Sequence, residues 1–175
     1  MAARRSTRQI MVQTTNGNDL QTPPAGPPQS GQQLFVNAQY IKDLSFENPR
    51  APHSLTQQTS APAVEINVDV KAHNLNPETY EVVLTVNASA KIGNDSLFIV
   101  ELAYGAVVTA RNLPQEMLPA ALLVEIPRLM FPFARNIIAD ATRDGGFPPL
   151  MINPIDFTEL LRRNQGQPPL AGTPA

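Results

Sequence analysis

The sequence has no cysteine and only two histidines, His53 and His73, among its 175 residues. Without cysteine there is no disulfide framework, no thiolate nucleophile and no cysteine-ligated metal site. Neither histidine has a second ligand at the spacing of a metal site, so we expect surface or structural roles for both. The composition is compatible with a reducing compartment and gives no sign of a cofactor.

Charge is also scarce, because only 16% of the residues are Asp, Glu, Lys or Arg. The net charge is -2, and the chain after residue 31 is more acidic, with ten of the 13 Lys and Arg and fourteen of the 15 Asp and Glu. An acidic domain with dispersed basic residues argues against a nucleic-acid partner. No uninterrupted apolar run approaches the roughly 18 residues that cross a bilayer, so membrane insertion is not expected.

Short catalytic motifs are missing as well. There is no glycine-rich phosphate loop and no Gly-x-Ser-x-Gly elbow. Three carboxylates remain to be explained: Asp43 and Glu47 have the same parity in one predicted strand, and Glu101 of another strand could join them on one sheet face. They form a solvated acidic face, a docking surface or, in a desolvated cleft, an acid/base pair of an enzyme.

Residues 1–31 differ from the rest of the chain. Apolar residues are sparse there, prolines and glycines crowd the end, and Arg4, Arg5 and Arg8 stand against Asp19 alone. We predict a disordered arm, with a transit peptide as the alternative for its arginine-containing start. A domain is expected over residues 32–165, followed by a disordered tail over 166–175.

Four segments have the pattern of β-strands: residues 34–46, 64–71, 80–91 and 97–109. The second alternates Val and Ile with charged and polar residues, which is typical of a half-buried strand. The fourth places Phe98, Val100, Leu102 and Tyr104 on one side and Ile99 and Glu101 on the other. Strands followed by helices predict an α+β domain, with helices on one face of an antiparallel sheet.

The helical part follows the strands. Apolar residues at three- and four-residue spacing predict an amphipathic helix from about residue 128 to Gly145-Gly146, which supplies the stop. A short separate helix over residues 120–125 is expected to end before Pro127. Asp156 is expected to cap a second helix, roughly Phe157–Asn164.

The connection over residues 147–157 is apolar, but Pro148, Pro149 and Pro154 forbid a regular helix. Its apolar residues form a minor core beneath this long loop, or they line a groove. Apolar residues exceed the needs of one small core, which favours an oligomer, a binding groove or both. A purely structural assembly module remains the alternative to a binding protein.

Several segments resemble a known family. They are Tyr-Ile-Lys-Asp-Leu-Ser-Phe-Glu-Asn-Pro (40–49), Ala-Pro-His (51–53), Tyr-Glu-Val-Val-Leu (80–84), Phe-Ile-Val-Glu-Leu (98–102), Leu-Met-Phe-Pro-Phe-Ala-Arg (129–135) and Gly-Gly-Phe-Pro-Pro-Leu-Met-Ile-Asn-Pro-Ile-Asp-Phe (145–157). In this order they resemble SecB, the family of bacterial protein-export chaperones. The likeness covers residues 34–164 and leaves the arm outside.

The resemblance implies a four-stranded antiparallel sheet with one long and one short C-terminal helix on one face, assembled as a homotetramer, a dimer of dimers. It implies a cytoplasmic bacterial chaperone, ATP-independent and not an enzyme. Its partners would be unfolded preproteins and the SecA ATPase, to which it delivers them for export.

The resemblance also implies roles for individual residues. The SecA-docking face would consist of Asp43, Glu47, Ile99 and Glu101, and the oligomer interface would involve Leu102, Tyr104 and Phe133. The client groove would be lined by Phe147, Leu150, Ile152, Ile155, Phe157, Leu160 and Leu161.

Overall fold

The computed structural model describes residues 31–56 and 60–166. The predicted arm and the predicted tail therefore lie outside the described residues, apart from Gly31 and Gly166. In the described part, strands come first and helices follow, as the sequence predicts.

The four predicted strands form one antiparallel sheet. They are β1 (Gln33–Glu47), β2 (Ala63–Asn76), β3 (Thr79–Ile92) and β4 (Asp95–Arg111), in the spatial order β1-β4-β3-β2. After β1 the chain crosses from one edge of the sheet to the other, and a short 3-10 turn, His53–Leu55, lies on this path. Strand β2 is longer than predicted because its polar end still pairs with β3, where Asn74 is opposite Tyr80.

The long helix is continuous and starts earlier than predicted. It consists of Leu118–Ala120, a wide π turn over Ala121–Glu125, and Ile126–Asp144. The prediction of a separate short helix that ends before Pro127 is wrong. In the wide turn the Ile126 N–H bonds to the Ala121 carbonyl five residues back, and the next residue, Pro127, has no N–H that would need a partner.

The long helix packs on one face of the sheet and creates the core. The side chains of β3 and β4 that face it are almost inaccessible, as are those on the inner side of the helix, such as Ile126, Met130 and Ile138. Each such side chain contributes roughly 1.5–3 kcal/mol to stability through burial. The predicted division of β4 is confirmed, because Phe98, Val100, Leu102 and Tyr104 are buried and Glu101 is exposed.

The C-terminal helix, Phe157–Asn164, begins as predicted. The Asp156 side chain accepts hydrogen bonds from the backbone N–H groups of Thr158 and Glu159, at 2.9 and 3.1 Å. Such a cap satisfies donors that have no partner inside the helix. The cap fixes where the connection from the long helix ends.

Candidate functional site

The open face of the sheet, opposite the long helix, carries the predicted acidic residues. In the register of β1 with β4, Glu47 is opposite Ile99, Ser45 is opposite Glu101, and Asp43 is opposite Ala103. Residues directly opposite each other in a ladder point to the same side of the sheet. The structure therefore brings Asp43, Glu47, Ile99 and Glu101 together, and we refer to these four residues as the acidic surface.

The three carboxylates of the acidic surface are exposed to solvent. None of the ion pairs among the described residues involves these three carboxylates. The surface around Ile99 and Glu101 is shallow and open rather than a closed cleft. General acid/base catalysis needs a desolvated carboxylate, so the geometry suits contact with a basic partner better than an enzyme site.

Three hydrogen-bonded side chains, Tyr40, Lys42 and Glu81, lie beside the acidic surface, and the sequence analysis did not predict their contact. Strand β1 sends two side chains across β4 to Glu81 of β3: the Tyr40 hydroxyl donates to the Glu81 carboxylate, and Lys42 Nζ contacts both of its oxygens at 2.7 and 2.8 Å. The Tyr40 ring passes directly over Gly105, where an added Cβ would lie 2.6 Å from the ring. A lone glycine inside an apolar strand was the signal available in the sequence.

These contacts change the proton affinities of the two acidic groups. The hydrogen bond from Lys42, followed by that from Tyr40, lowers the pKa of Glu81 below its usual 4.5. The hydrogen bond to Glu81, with some burial, raises the pKa of Tyr40 above its usual 10.0. At neutral pH Glu81 is therefore a carboxylate and Tyr40 a neutral phenol.

The connection between the two helices is anchored at its start by Thr142. This residue is fully buried, and its hydroxyl donates to the carbonyls of Ile138 and Ala139 and accepts the N–H of Leu150 at 2.9 Å. The Phe147 N–H bonds to the Thr142 carbonyl at 3.1 Å. Two backbone N–H groups of this proline-rich segment, which has neither helix nor strand, thus donate to the carbonyl and the hydroxyl of Thr142 in the long helix.

The seven residues expected to line a client groove divide into two sets. Phe147, Ile152 and Phe157 are buried in the core of this chain. Phe147 packs 5.1 Å from Phe98, and Phe157 packs edge-on at 6.0 Å from Phe131, measured between ring centroids. Leu150, Ile155, Leu160 and Leu161 are only half-buried.

An apolar groove runs between the sheet edge and three of the half-buried residues, Ile155, Leu160 and Leu161. A cavity of about 380 Å³ lies between β2, with Ile66 and Val68, and the side chains of Ile155 and Leu160. A second cavity of about 240 Å³ adjoins it at Leu160 and includes Leu161, Val70 and Leu123. We refer to these two cavities as the apolar groove. Because β2 is an edge strand, this groove is open along one side.

The three residues expected at an oligomer interface differ in their exposure to solvent. Leu102 is fully buried and Tyr104 nearly so, both beneath the long helix. Phe133 is 54% exposed on the outer side of that helix, and Leu129, four residues earlier, is 56% exposed. Residues four apart share a helix face, so these two form an apolar patch on the surface. Leu129 was not singled out from the sequence, although its spacing to Phe133 indicates the shared face.

Within the described parts of the chain, no three His, Asp or Glu side chains come together in a way that could hold a metal ion. Over the same residues, none of the helices combines the length and the apolar character that a membrane crossing requires.

The fold and these surfaces define an α+β binding protein: a four-stranded antiparallel sheet with an acidic open face and an apolar groove at one edge. A similar fold is found in the solved structure of a SecB-like chaperone of Mycobacterium tuberculosis in complex with an antitoxin peptide, with a TM-score of 0.58 over 70% of this chain and 90% of that one. At 13% identity this likeness concerns the fold alone.

Sequence comparisons identify the family. The family described as preprotein translocase subunit SecB matches residues 28–168. A protein-export protein SecB of Rhodopseudomonas palustris (strain TIE-1) is 52% identical over 160 residues, which are 88% of this chain and 99% of that relative. Its counterpart in Paramagnetospirillum magneticum is 54% identical over 145 residues, 82% of this chain and 90% of the relative. The chain belongs to the SecB family of protein-export chaperones, which are not enzymes.

Proposed function

We propose that this protein is an ATP-independent chaperone of the bacterial cytoplasm. It binds unfolded preproteins, keeps them competent for translocation and delivers them to the SecA ATPase. The observation that carries the proposal is the apolar groove between β2 and Ile155, Leu160 and Leu161. Its relatives are named protein-export proteins, which agrees with this role.

The groove suits unfolded chains because of its composition. Most of its lining residues are aliphatic, and the polar ones are Asn67, Asn153, Arg163, Asn164 and Gln165. The aliphatic surface can accept apolar side chains of many shapes. A folded protein hides its apolar segments, whereas a slowly folding preprotein leaves them exposed for longer. Selection by such a groove is therefore kinetic, and it needs neither a cofactor nor nucleotide hydrolysis.

The buried members of the predicted groove have a supporting role in this proposal. Phe147, Ile152 and Phe157 attach the connection to the core, and this holds Leu150 and Ile155 at the surface. Client contact is thus assigned to Ile155, Leu160 and Leu161, which line the apolar groove, and to Leu150, which lies outside its two cavities. The other three residues stabilise the groove wall.

The acidic surface is proposed as the contact with SecA. Three exposed carboxylates around Ile99 favour a basic partner, and the surface lies on the opposite side of the sheet from the long helix. A client in the apolar groove and SecA on the acidic surface therefore do not compete for the same residues. Electrostatic docking of this kind accelerates encounter and weakens with salt.

A dimer of dimers would cover the apolar patch of Leu129 and Phe133, which a single copy leaves exposed. Leu102 and Tyr104 would act on assembly through the position of the long helix above them. Several copies of the groove in one assembly would bind one long client through many weak contacts, which gives avidity.

The test is the refolding of a slowly folding preprotein with and without the purified protein, in the absence of nucleotide. We expect refolding to slow in proportion to the chaperone concentration, and the mass in solution to show a tetramer that gains the mass of one client. Addition of SecA should then recruit the complex. Unchanged refolding across a panel of unfolded preproteins would contradict the proposal.

A further inference from the structure

We propose that Tyr40, Lys42 and Glu81 form a clamp that positions the acidic surface, with Glu81 as a positioning residue outside that surface. The geometry of β1 explains how the clamp acts. Its expected effect on SecA binding rests on the proposed docking function. None of the three residues belongs to the acidic surface itself.

The cause is a β-bulge directly before Asp43. The register of β1 with β4 passes from Ile41 opposite Tyr104 to Asp43 opposite Ala103, so Lys42 is an extra residue. In a regular ladder Lys42 would be opposite Ala103, and Asp43 would be opposite Leu102 on the face covered by the long helix. A shift of one residue exchanges the two faces of a strand.

The same bulge determines the rest of β1. Without it Glu47 would be opposite Phe98, on the buried face, and Phe46 would be on the open face. With it Phe46 packs against Phe98 in the core, while Asp43 and Glu47 both reach the open face. The acidic surface exists only in the bulged register.

The clamp holds the bulge from the open side. Lys42, the extra residue, is tied to Glu81 across the intervening strand, and Tyr40, just before the bulge, is tied to the same carboxylate. Gly105 leaves the space that the Tyr40 ring needs to cross β4. Burial of Phe46 selects the bulged register, because Lys42 would face the open side in a regular ladder as well. The clamp adds a tie between this segment of β1 and β3, and this tie restrains the bulge.

The clamp also controls charge. Lys42 is the immediate neighbour of Asp43, and an ammonium there could neutralise part of the acidic surface. Its pairing with Glu81 directs the ammonium toward β3 and away from Asp43, so the net charge of the acidic surface stays negative. Loss of Glu81 would both loosen the bulge and release a positive charge beside Asp43.

The experiment compares the full-length wild type with Glu81→Gln. Hydrogen–deuterium exchange over residues 40–45 reports the bulge, and calorimetric titration with SecA reports docking. We expect faster exchange in this segment and about fivefold weaker SecA binding, as expected for the rearrangement of a charged contact at an interface. Binding of an unfolded preprotein should not change, because the apolar groove is elsewhere.

Two further variants distinguish the effect of the clamp from the effect of losing any surface ion pair. The exchanged pair Lys42→Glu with Glu81→Lys restores an ion pair of opposite polarity and should recover slow exchange in residues 40–45. Glu78→Gln removes a comparable ion pair to Arg111, at 2.9 Å, away from the bulge, and should leave both readouts at the wild-type level.

Each outcome decides between the parts of the inference. Unchanged exchange and unchanged SecA binding in Glu81→Gln would overturn it, as would an exchanged pair that stays as mobile as the single variant. If wild-type protein does not bind SecA at all, the proposed docking function fails, and the exchange data still judge the clamp.

Discussion

The ring of Phe46 lies directly against the α-carbon of Gly145, the residue that follows the last turn of the long helix. The same ring stacks on Phe98 at 5.9 Å and lies 6.4 Å from Phe147, measured between centroids. This contact joins the end of β1 to the end of the helix and to the start of the apolar connection. Gly145 is therefore needed for space rather than for an unusual backbone angle, because its φ is -72°.

Gly145→Ala is expected to destabilise the protein by about 1–3 kcal/mol, the usual cost of overpacking a core. The added methyl would overlap the Phe46 ring, which is enclosed by two other aromatic side chains. Urea unfolding measures the effect. Gly31→Ala is the control, because a Cβ there meets nothing within 4 Å. Phe46→Leu in the Gly145→Ala background should recover part of the loss; equal stability of both alanine variants would contradict the packing argument.

Much of the fold follows from local patterns in the sequence. Alternation of apolar and polar residues predicted three of the four strands, and Asp156 and Gly145-Gly146 marked helix ends correctly. Apolar spacing predicted one shared helix face for Met130, Phe133, Ala134, Ile137, Ile138 and Ala141. Met130, Ala134 and Ile138 are buried as predicted, but Phe133 is 54% exposed. These features depend on a few neighbouring residues. The acidic surface was also predicted, because Asp43 and Glu47 both follow the second bulge of β1 and so keep their relative parity.

Other features depend on distant residues and were not predictable in this way. The clamp needs a tyrosine, a lysine and a glutamate from two strands that are separated by a third. The continuity of the long helix through Pro127 depends on a wide turn, which the spacing of apolar residues does not predict. Composition identified 147–157 as apolar, but it could not say that Phe147 and Phe157 join the core while Ile155 remains at the surface.

Thr142→Val should destabilise the protein by about 1–3 kcal/mol, because it keeps the shape of the side chain but leaves the Leu150 N–H without its acceptor. Hydrogen exchange of the Leu150 amide should accelerate, together with that of the connection that follows. Thr142→Ser is the matched control, since it retains the hydroxyl. Slow exchange of Leu150 in the valine variant would show that the connection is held by packing alone.

Ile155→Asp should weaken binding of an unfolded preprotein about tenfold, because a charge in the apolar groove is desolvated by the client without a partner. The residue is half-buried, so the fold should survive, whereas Phe147→Asp would place a charge in the core and unfold the protein. Leu75→Asp is the control, an equally charged replacement of an exposed apolar residue at the far end of β2. Titration with an unfolded preprotein measures the affinity. Equal losses of affinity in both variants would contradict the assignment of the groove as the client site.

Asp43→Lys combined with Glu101→Lys should weaken SecA binding about tenfold or more and leave the mass of the assembly unchanged. The affinity of the wild type should also fall as salt is raised, and that of the variant should fall less. Glu116→Lys with Glu125→Lys makes the same change in net charge at exposed sites near the start of β1, away from the acidic surface. If this second pair weakens SecA binding as much, overall charge rather than the acidic surface is responsible.

Glu81 should make stability depend on pH on the acid side. Lys42 and Tyr40 lower its pKa below 4.5 in the folded state, and an unfolded chain loses both partners. The folded state therefore favours the carboxylate, and the stabilisation is complete above pH 4.5 and is lost as the pH falls through the lowered pKa. The difference in free energy of unfolding between wild type and Glu81→Gln should be constant from about pH 7 to pH 5 and shrink toward about pH 3.

The alkaline side gives an independent check of the same contact. Glu81 raises the pKa of Tyr40 above 10.0, so the folded state favours the neutral phenol. This contribution is complete below pH 10.0 and is lost as the pH rises through the raised pKa. Absorbance titration of the phenolate should show an ionisation above pH 10.0 in the wild type that moves to lower pH in Glu81→Gln. An ionisation that stays at the same pH in the variant would mean that Tyr40 is not held by Glu81.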